Sequence, residues 1–329
     1  MQEGAKRLKQ RLEGFPRVPL SLTPTPCHRL PYLSQHFGRE VYCKREDLTG
    51  FGFGGNKTRK LEWLIAEALD QKCDTLVTSG GIQSNFCRIT AAAAAHSGLS
   101  AHLVLGGVAP SAPTGNLILN DLLGATTHFM GSSDWTFDQM EDKSLDLAEE
   151  LRSMGRKVFH IPVGGSIAIG AVAYSLVLLE IMADQEKLGL EFDCIVHATG
   201  SGGTQAGLLA GKSIAEWKGD ILGVSVGMDA QSMASKVAQL ADETAHLLGG
   251  NVKTEDVRIE DDHIGPGYAV PTDGGKRAIK LFARKEGIFL DHVYTGKAAD
   301  ALIDWLKQDR IKGKNLLFIH TGGTPELFA

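Results

Sequence analysis

The chain has 329 residues, of which 43% are hydrophobic and 22% are charged, and its formal net charge is -5 at pH 7. A chain of this length exceeds one ordinary core, so two domains are the default expectation. The slight acidic balance excludes an electrostatic surface for nucleic acid or for anionic membranes, so small-molecule partners are favoured.

The five cysteines are odd in number and include no C-x-x-C pair. Neither a disulfide framework nor a zinc knuckle is indicated, and we predict no metal site. The opening residues are partly basic but precede no apolar run, and no stretch approaches the roughly 20 apolar residues of a membrane span. We therefore expect a cytoplasmic protein.

In chain order, the first informative segment surrounds Lys57. Four of residues 50–55 are glycine, and such a segment forms a loop because glycine loses the most backbone entropy in a helix. From Thr58 onward, the apolar residues at 61, 64, 65, 68 and 69 share one helical face. Lys57 is thus predicted at a loop-to-helix junction, where an amine can be held rigidly and still face a cleft. In isolation it would be a solvated cation.

Further along the chain, a short apolar run that ends in a glycine turn recurs at residues 75–81, 158–165, 194–200, 221–227 and 316–323. Helical patterns such as residues 88–96 alternate with these runs. Strands that are apolar on both faces and alternate with helices predict an α/β fold with parallel sheets covered on both sides. Ligands bind beyond the carboxyl ends of such strands, which here are the glycine turns. The charged residues 242–262 are interpreted as a solvated face and a loop.

The strongest anion-binding signal is Ala-Thr-Gly-Ser-Gly-Gly-Thr-Gln-Ala-Gly at residues 198–207. It follows a predicted strand and precedes the helical run 208–217. Its backbone N–H groups and the hydroxyls of Ser201 and Thr204 can converge on one anion, while the helix N-terminus adds about half a positive charge. A tight turn without a ligand is the alternative that these residues leave open.

Two nucleotide-binding signatures are incomplete. The G-x-G-x-x-G fingerprint fails at Gln205, where the third glycine would stand, and a Walker A loop fails because Asn56 precedes Lys57 and because residues 207–213 are one residue short. A site for a single phosphate remains. A lysine and a monophosphate site in an α/β protein suggest pyridoxal 5'-phosphate (PLP), whose aldehyde forms a Schiff base with an amine.

Seven blocks of sequence run in a fixed order over most of the chain: KREDLT at 44–49, GGNKTRKLE at 54–62, GIQSN at 81–85, IPVGGS at 161–166, TGSGGT at 199–204, VYTGK at 293–297 and FIHTGG at 318–323. Together they resemble the D-cysteine desulfhydrase and 1-aminocyclopropane-1-carboxylate (ACC) deaminase family, within the tryptophan synthase β-like group of PLP enzymes. The resemblance implies a homodimer.

It also implies an α/β fold of two open, mostly parallel twisted sheets flanked by helices. A smaller domain, residues 62–175, would be inserted into a larger cofactor-binding domain made of residues 1–61 and 176–329.

For the cofactor, the resemblance implies that Lys57 binds PLP and later moves the Cα proton. Asn85 would contact the cofactor's 3'-oxygen, and Thr321 would meet its pyridine nitrogen. The phosphate would be held by Thr199, Gly200, Ser201, Gly202, Gly203 and Thr204. Taken singly, Asn85 also fits a helix cap and Thr321 a turn.

For the substrate, the resemblance implies that Ser84 binds the carboxylate or assists proton transfer, and that Tyr294 and, less securely, Tyr268 line the substrate side. Alone, Ser84 could simply cap a helix and Tyr294 could be a half-buried strand residue. The residue after Asn85, commonly His or Gln among relatives, is Phe86 here and is followed by Cys87, which alters a segment next to the substrate.

A hydroxyl at the ring nitrogen leaves that nitrogen largely unprotonated, so a carbanion at Cα would be short-lived, which suits β-elimination. We expect D-cysteine to be converted to pyruvate, ammonia and hydrogen sulfide.

L-Cysteate sulfo-lyase is an alternative activity, and ACC deaminase is another. ACC deaminases, however, have Tyr-Glu in place of Tyr294-Thr295 and lack a threonine at the position of Thr321. The alternative from another class is a non-catalytic anion- or nucleotide-binding protein that uses only residues 199–204.

Overall fold

The computed structural model describes residues 3–329; Met1 and Gln2 of the predicted large domain lie outside the described residues. The strands are β1 (Cys27–Arg29), β2 (Glu40–Lys44), β3 (Thr75–Gly80), β4 (Ser100–Leu105), β5 (Thr126–Phe129), β6 (Val158–Ile161), β7 (Cys194–Thr199), β8 (Asp220–Ser225), β9 (Arg258–Glu260) and β10 (Asn315–Ile319). The helices are α1 (Glu3–Leu12), α2 (Pro31–Phe37), α3 (Asn56–Asp70), α4 (Asn85–Ser97), α5 (Asn116–Leu122), α6 (Phe137–Ser153), α7 (Ala168–Leu188), α8 (Gly203–Ala215), α9 (Ala230–Leu247), α10 (Asp273–Glu286) and α11 (Thr295–Lys307).

These strands form two sheets. The large sheet has the order β1-β2-β10-β7-β8-β9, and the small sheet has the order β5-β4-β3-β6. All neighbours are parallel except β1, which pairs with β2 in the antiparallel sense. The predicted α/β class with two mostly parallel sheets is confirmed. The division into domains at residues 62 and 175 stays a prediction.

Each face of the large sheet covers its own hydrophobic core. Leu317 and Ile319 of β10 belong to the core that contains α1, α7, α8 and α9. Leu316 and Phe318 point to the other face and join the core that contains α2, α10 and α11. Because successive side chains of a strand alternate between faces, a strand buried on both sides is a continuous apolar run. The sequence of β10 is such a run, which is why the pattern of apolar residues predicts this strand.

Helix α7 is the one described helix that is long and apolar enough to cross a membrane by length and composition. The sequence analysis predicts no stretch of this length and composition, and α7 is an exception to that prediction. Val172, Val177 and Ile181 are fully buried in the core shared with α1, α8 and α9. A helix surrounded by other elements is apolar on most sides, and this burial accounts for the composition of α7.

Several elements differ from the sequence expectation. Strand β9 lies in the charged stretch that was interpreted as a solvated face and loop, and its three residues are too few and too polar to give a strand signal. Helix α3 begins at Asn56 rather than at Thr58, so Lys57 lies within its first turn. Leu69 was expected on the buried face of that helix but is 41% exposed.

A buried ionic network fixes α3 against the large sheet and α7. The guanidinium of Arg59 donates to Glu46 at 2.6 Å and to Glu180 at 2.7 Å, and the side chains of Arg59 and Glu46 are fully buried. Nearby, Lys44 on β2 pairs with Asp184 on α7 at 2.7 Å. Because buried charges require partners, this network sets the position of α3 and of the lysines that it carries.

Glu46→Ala should therefore lower the free energy of unfolding by about 3–5 kcal/mol, because it leaves Arg59 buried with a missing partner. Glu40→Ala is the control, since it removes an exposed pair with Arg29 and should cost less than about 1 kcal/mol. Urea denaturation followed by circular dichroism measures both. Equal losses in the two variants would show that the buried network does not fix α3.

Candidate functional site

A cavity of about 380 Å³ lies between the two sheets, at the carboxyl ends of their parallel strands. Residues that follow β3, β6, β7, β8 and β10 line it, together with the first turns of α3, α4 and α6. Of the predicted site residues, those that line the cavity are Lys57, Ser84, Asn85, Thr199, Gly200, Ser201, Gly202, Thr204, Tyr268, Tyr294 and Thr321. Gly203 is the exception and does not line it.

Lys57 is partly exposed to this cavity from the first turn of α3. The backbone N–H of Asn56 donates to the carbonyl of Thr321 at 2.9 Å, which joins the start of α3 to the end of β10. The approach is so close that a Cβ on Gly322 would lie 2.7 Å from the Cα of Gly55. Burial lowers the pKa of Lys57 from 10.5 to about 8, so a sizeable fraction of the amine is neutral near physiological pH.

The predicted phosphate site is the N-terminus of α8. Ser201 accepts a hydrogen bond from Ser166 at 2.7 Å, and Thr204 accepts one from Asn56 at 2.9 Å. Each of these two hydroxyls keeps its own hydrogen to donate, beside the free N–H groups of the first helical turn. The Thr199 hydroxyl instead donates to Gln205 at 2.9 Å, so it has no hydrogen left to donate to a ligand.

Lys60 is a site residue that was not recognised from the sequence. It is fully buried, and its ammonium donates to the carbonyl of Gly164 at 3.0 Å. A Cβ on Gly203 would lie 2.5 Å from this nitrogen, so Lys60 adjoins the start of α8. Burial and then the charge of Lys57 hold the pKa of Lys60 well below its ordinary value. The available signal was its position three residues after Lys57, on the same side of the helix.

The sequence leaves two interpretations open for Ser84 and Asn85, a helix cap and a position in the site, and the structure combines both. Ser84 is the N-cap of α4 and accepts a hydrogen bond from the N–H of Cys87 at 3.2 Å, yet it also lines the cavity. The Asn85 amide oxygen accepts from Arg88 at 3.0 Å and from Asn116 at 3.1 Å. The Asn85 amide nitrogen is therefore the atom left to bind a group in the cavity.

The cavity has an excess of positive charge. Three cations, Lys57, Arg88 and Lys236, line it against two acids, Asp138 and Glu141, and Lys60 adjoins it beside Gly203. Within residues 3–329, Lys57, Lys60 and Arg88 form no ion pair with a carboxylate. Burying cations without partners is costly, so the site is complementary to an anion. A phosphate at α8 and Lys60, with an ionised oxygen at Asn85, would fit these residues, and PLP carries both groups.

Tyr268 and Tyr294 line the cavity side by side. Their hydroxyl oxygens are 2.5 Å apart. Burial raises the pKa of Tyr268 to about 12, and burial together with Tyr268 raises the pKa of Tyr294 well above its ordinary value. Both phenols therefore stay protonated at neutral pH and act as hydrogen-bond donors rather than as bases.

Thr295 follows Tyr294 but turns away from the cavity. Its side chain is fully buried, and its hydroxyl donates to Asp291 at 2.6 Å. The same carboxylate accepts the backbone N–H groups of Val293, Tyr294 and Thr295 at 2.8–2.9 Å. Asp291 therefore fixes the start of α11 and the position of Tyr294.

Phe86, which differs from the residue common among relatives, and Cys87, which follows it, have different surroundings. Phe86 lines the cavity, and its ring packs so closely on Gly165 that a Cβ there would lie 2.8 Å from the ring. Cys87 lies in the small core with Ala91 and Leu103. Burial raises the pKa of Cys87 to about 12, so it remains an unreactive thiol.

The loop that carries Tyr268 is held by Lys297 of α11. The buried ammonium of Lys297 donates to the carbonyls of Ile264 at 2.8 Å and Gly267 at 2.9 Å. A third carbonyl, that of Val226 after β8, lies at 3.4 Å. One charged group thus joins the loop to the end of a central strand.

Lys297→Met should accelerate amide hydrogen exchange in residues 262–270 by about tenfold, because the loop loses its charge-assisted hydrogen bonds. Mass spectrometry of the exchanged peptides measures this. Lys307→Met, at the exposed end of the same helix, should leave the exchange unchanged. Equal protection of the loop in both variants would show that Lys297 does not hold it.

Lys57→Met should raise the free energy of unfolding of the cofactor-free protein at pH 7, because it removes a buried charge. The pKa of Lys57 is about 8 when folded and 10.5 in the ordinary state, so the unfolded chain binds more protons between these values and wild-type stability rises with pH there. The advantage of the variant should shrink over the same window. Urea denaturation at several pH values measures it, with the exposed Lys253→Met as control; a pH-independent difference would contradict this explanation.

Comparisons with known proteins agree with this geometry. Residues 18–322 match the family model for pyridoxal-phosphate dependent enzymes. A D-cysteine desulfhydrase of Klebsiella pneumoniae is 41% identical over 97% of this chain and 98% of the relative. A putative ACC deaminase of Pyrococcus abyssi is 40% identical over 96% of this chain and 94% of the relative.

Solved structures give the same result. The crystal structure of an ACC deaminase homologue superimposes with a TM-score of 0.91 at 39% identity, covering 100% of this chain and 97% of that one. A fungal L-serine ammonia-lyase from Rhizomucor miehei, at 17% identity and a TM-score of 0.69, covers 94% of this chain and 96% of that one and shares the fold. The chain belongs to the pyridoxal-phosphate dependent enzymes, in the family of the D-cysteine desulfhydrases and ACC deaminases.

Proposed function

We propose that this enzyme catalyses α,β-elimination from a small β-substituted amino acid, with D-cysteine as the first candidate. D-Cysteine and water would give pyruvate, ammonia and hydrogen sulfide. The observation that carries the choice of substrate is Thr295, whose hydroxyl is bound to buried Asp291. ACC deaminases have a glutamate at this position, whereas the fully buried Thr295 side chain presents no carboxylate to the cavity.

The cofactor would be held by residues of α3, of α4, of the start of α8 and of the segment after β10. When bound, PLP supplies an aldehyde that condenses with an amine and a ring that withdraws electrons from the substrate's Cα. Lys57 would provide the amine, while Ser201, Thr204, Lys60 and the N–H groups that begin α8 would hold the phosphate. Asn85 and Thr321 would face the 3'-oxygen and the ring nitrogen.

Lys57 would remove the Cα proton. A general base must be neutral, and the lowered pKa of Lys57, about 8, supports this role close to physiological pH. Ser84 would orient the substrate carboxylate, since its hydroxyl lies at the N-terminus of α4 where an anion is favoured. The same hydroxyl caps the helix, so its position is fixed before a substrate arrives.

The tyrosine pair would assist the leaving group. A thiolate that departs from Cβ needs a proton or a hydrogen-bond donor, and both phenols stay protonated because burial raises the pKa of each. Their hydroxyl oxygens are 2.5 Å apart, so one hydroxyl donates to the other. The hydroxyl that accepts keeps its own hydrogen, which it can donate to the leaving group.

Two other substrates are the alternatives for the same machinery. L-Cysteate would release sulfite instead of sulfide, and ACC would yield 2-oxobutanoate. Membership of an enzyme family argues against the non-catalytic anion- or nucleotide-binding alternative. A homodimer and a cytoplasmic location stay predictions; the five free cysteines are consistent with a reducing compartment.

An assay of D-cysteine, L-cysteine, L-cysteate and ACC side by side tests the substrate. We expect D-cysteine to give pyruvate and sulfide in equal amounts and to have the highest kcat/KM of the four. Sulfide, sulfite, pyruvate and 2-oxobutanoate are each quantified. Faster formation of 2-oxobutanoate from ACC would refute the assignment.

The role of Lys57 is tested separately. Lys57→Ala should abolish the visible absorption band of the covalently bound cofactor, because this band requires the amine that Lys57 supplies. Ser84→Ala should keep this band and lower turnover, and the exposed Lys253→Ala should change neither. A band retained by Lys57→Ala would end the proposal, and loss of the cofactor from Ser84→Ala would make Ser84 a structural residue.

A further inference from the structure

Arg88 of α4 is a buried cation whose hydrogen-bond partners are all neutral groups. Its side chain is 1% exposed. It donates to the carbonyl of Gly54 at 2.8 Å and to the amide oxygens of Asn85 at 3.0 Å and Asn116 at 2.9 Å. Its Nε has no hydrogen-bond partner in the described chain. Burial lowers the pKa of Arg88 to about 10, so the guanidinium is still charged at neutral pH.

This contrasts with Arg59, the other fully buried arginine of the region. Arg59 pairs with the carboxylates of Glu46 and Glu180. Arg88 has no such partner among residues 3–329, although it lines the cavity. An uncompensated guanidinium in a low-dielectric site creates a strong positive potential around it, so its charge acts on whatever the cavity binds.

The hydrogen bonds of Arg88 also fix the orientation of Asn85. A guanidinium only donates hydrogen bonds, so the atom of Asn85 that faces it must be the amide oxygen. Asn116 donates its amide nitrogen to the same oxygen at 3.1 Å and to the carbonyl of Gln83 at 2.7 Å. These contacts occupy the oxygen of Asn85 from two sides, which leaves its amide nitrogen for the cavity.

We infer that Arg88 is a positioning residue for the cofactor: it holds the Asn85 amide nitrogen toward the 3'-oxygen of PLP and keeps that oxygen ionised. This inference rests on the proposed function of Asn85. A hydrogen-bond donor backed by a cation favours the charged form of its acceptor. Thr321, a neutral side chain, would face the ring nitrogen, so the charge of the ionised 3'-oxygen would be balanced from the Arg88 side of the ring.

The test compares Arg88→Gln with Arg88→Lys in the holoenzyme. Bound PLP absorbs at a shorter wavelength when its 3'-oxygen is protonated than when it is ionised, so the ratio of the two bands reports the state of that oxygen. Arg88→Gln should shift this ratio toward the shorter-wavelength band by about tenfold, the effect of one pKa unit. It should also weaken PLP binding by about tenfold. Arg88→Lys keeps the charge and should largely keep both values.

The matched control is Arg29→Gln, which removes an exposed arginine paired with Glu40 and should alter neither value. Asn116→Asp keeps Arg88, its hydrogen bond to residue 116 and the Asn85 amide but neutralises the charge of Arg88, and it should reproduce the band shift even if Arg88→Gln does not fold. The inference alone would be overturned if these variants kept the wild-type band ratio, or if Arg88→Lys shifted it as much as Arg88→Gln. A wild-type protein without a visible band would overturn the proposed function as well.

Discussion

The site depends on how α3 divides its charged residues between two environments. On one side, Arg59 is bound by Glu46 and Glu180, so the helix is fixed by a neutralised buried network. On the other side, Lys57 lines the cavity and Lys60 is buried next to it, and neither is paired with a carboxylate. Because a charge buried without a partner raises the energy of the folded state, the stability stored in the first network offsets the cost of preparing the second.

The positive charges of the cavity come from separate parts of the chain. Helix α3 supplies two lysines, α4 supplies Arg88, and the N-terminus of α8 supplies its dipole and free N–H groups. These sources lie at the ends of parallel strands of both sheets, so the two sheets together create a region that neither would form alone. This arrangement is complementary to a small molecule with two anionic groups, whereas one phosphate would require only the α8 end.

Much of this arrangement could be predicted from the sequence, but not all of it. Buried parallel strands such as β7 and β10 are continuous apolar runs that end in glycine turns, and Lys57 stands beside such a turn. Lys60 and Arg88 look like ordinary helix-surface cations, because the groups that bury them come from elsewhere in the chain: the carbonyl of Gly164 is 104 residues from Lys60. Short edge strands such as β9 have too few residues for any period to appear.

Tyr268 joins the two halves of the cavity wall. It belongs to the segment after β9 of the large sheet, yet its ring meets Phe137 of α6 edge to face, with the ring centres 5.3 Å apart, and lies against Gly81 after β3 of the small sheet. Any widening of the cleft must separate these surfaces. The hydroxyl pair itself would stay together, because Lys297 of α11 holds the Tyr268 loop and Tyr294 begins the same helix. A wider cleft would instead uncover the pair on the side where Phe137 now covers it.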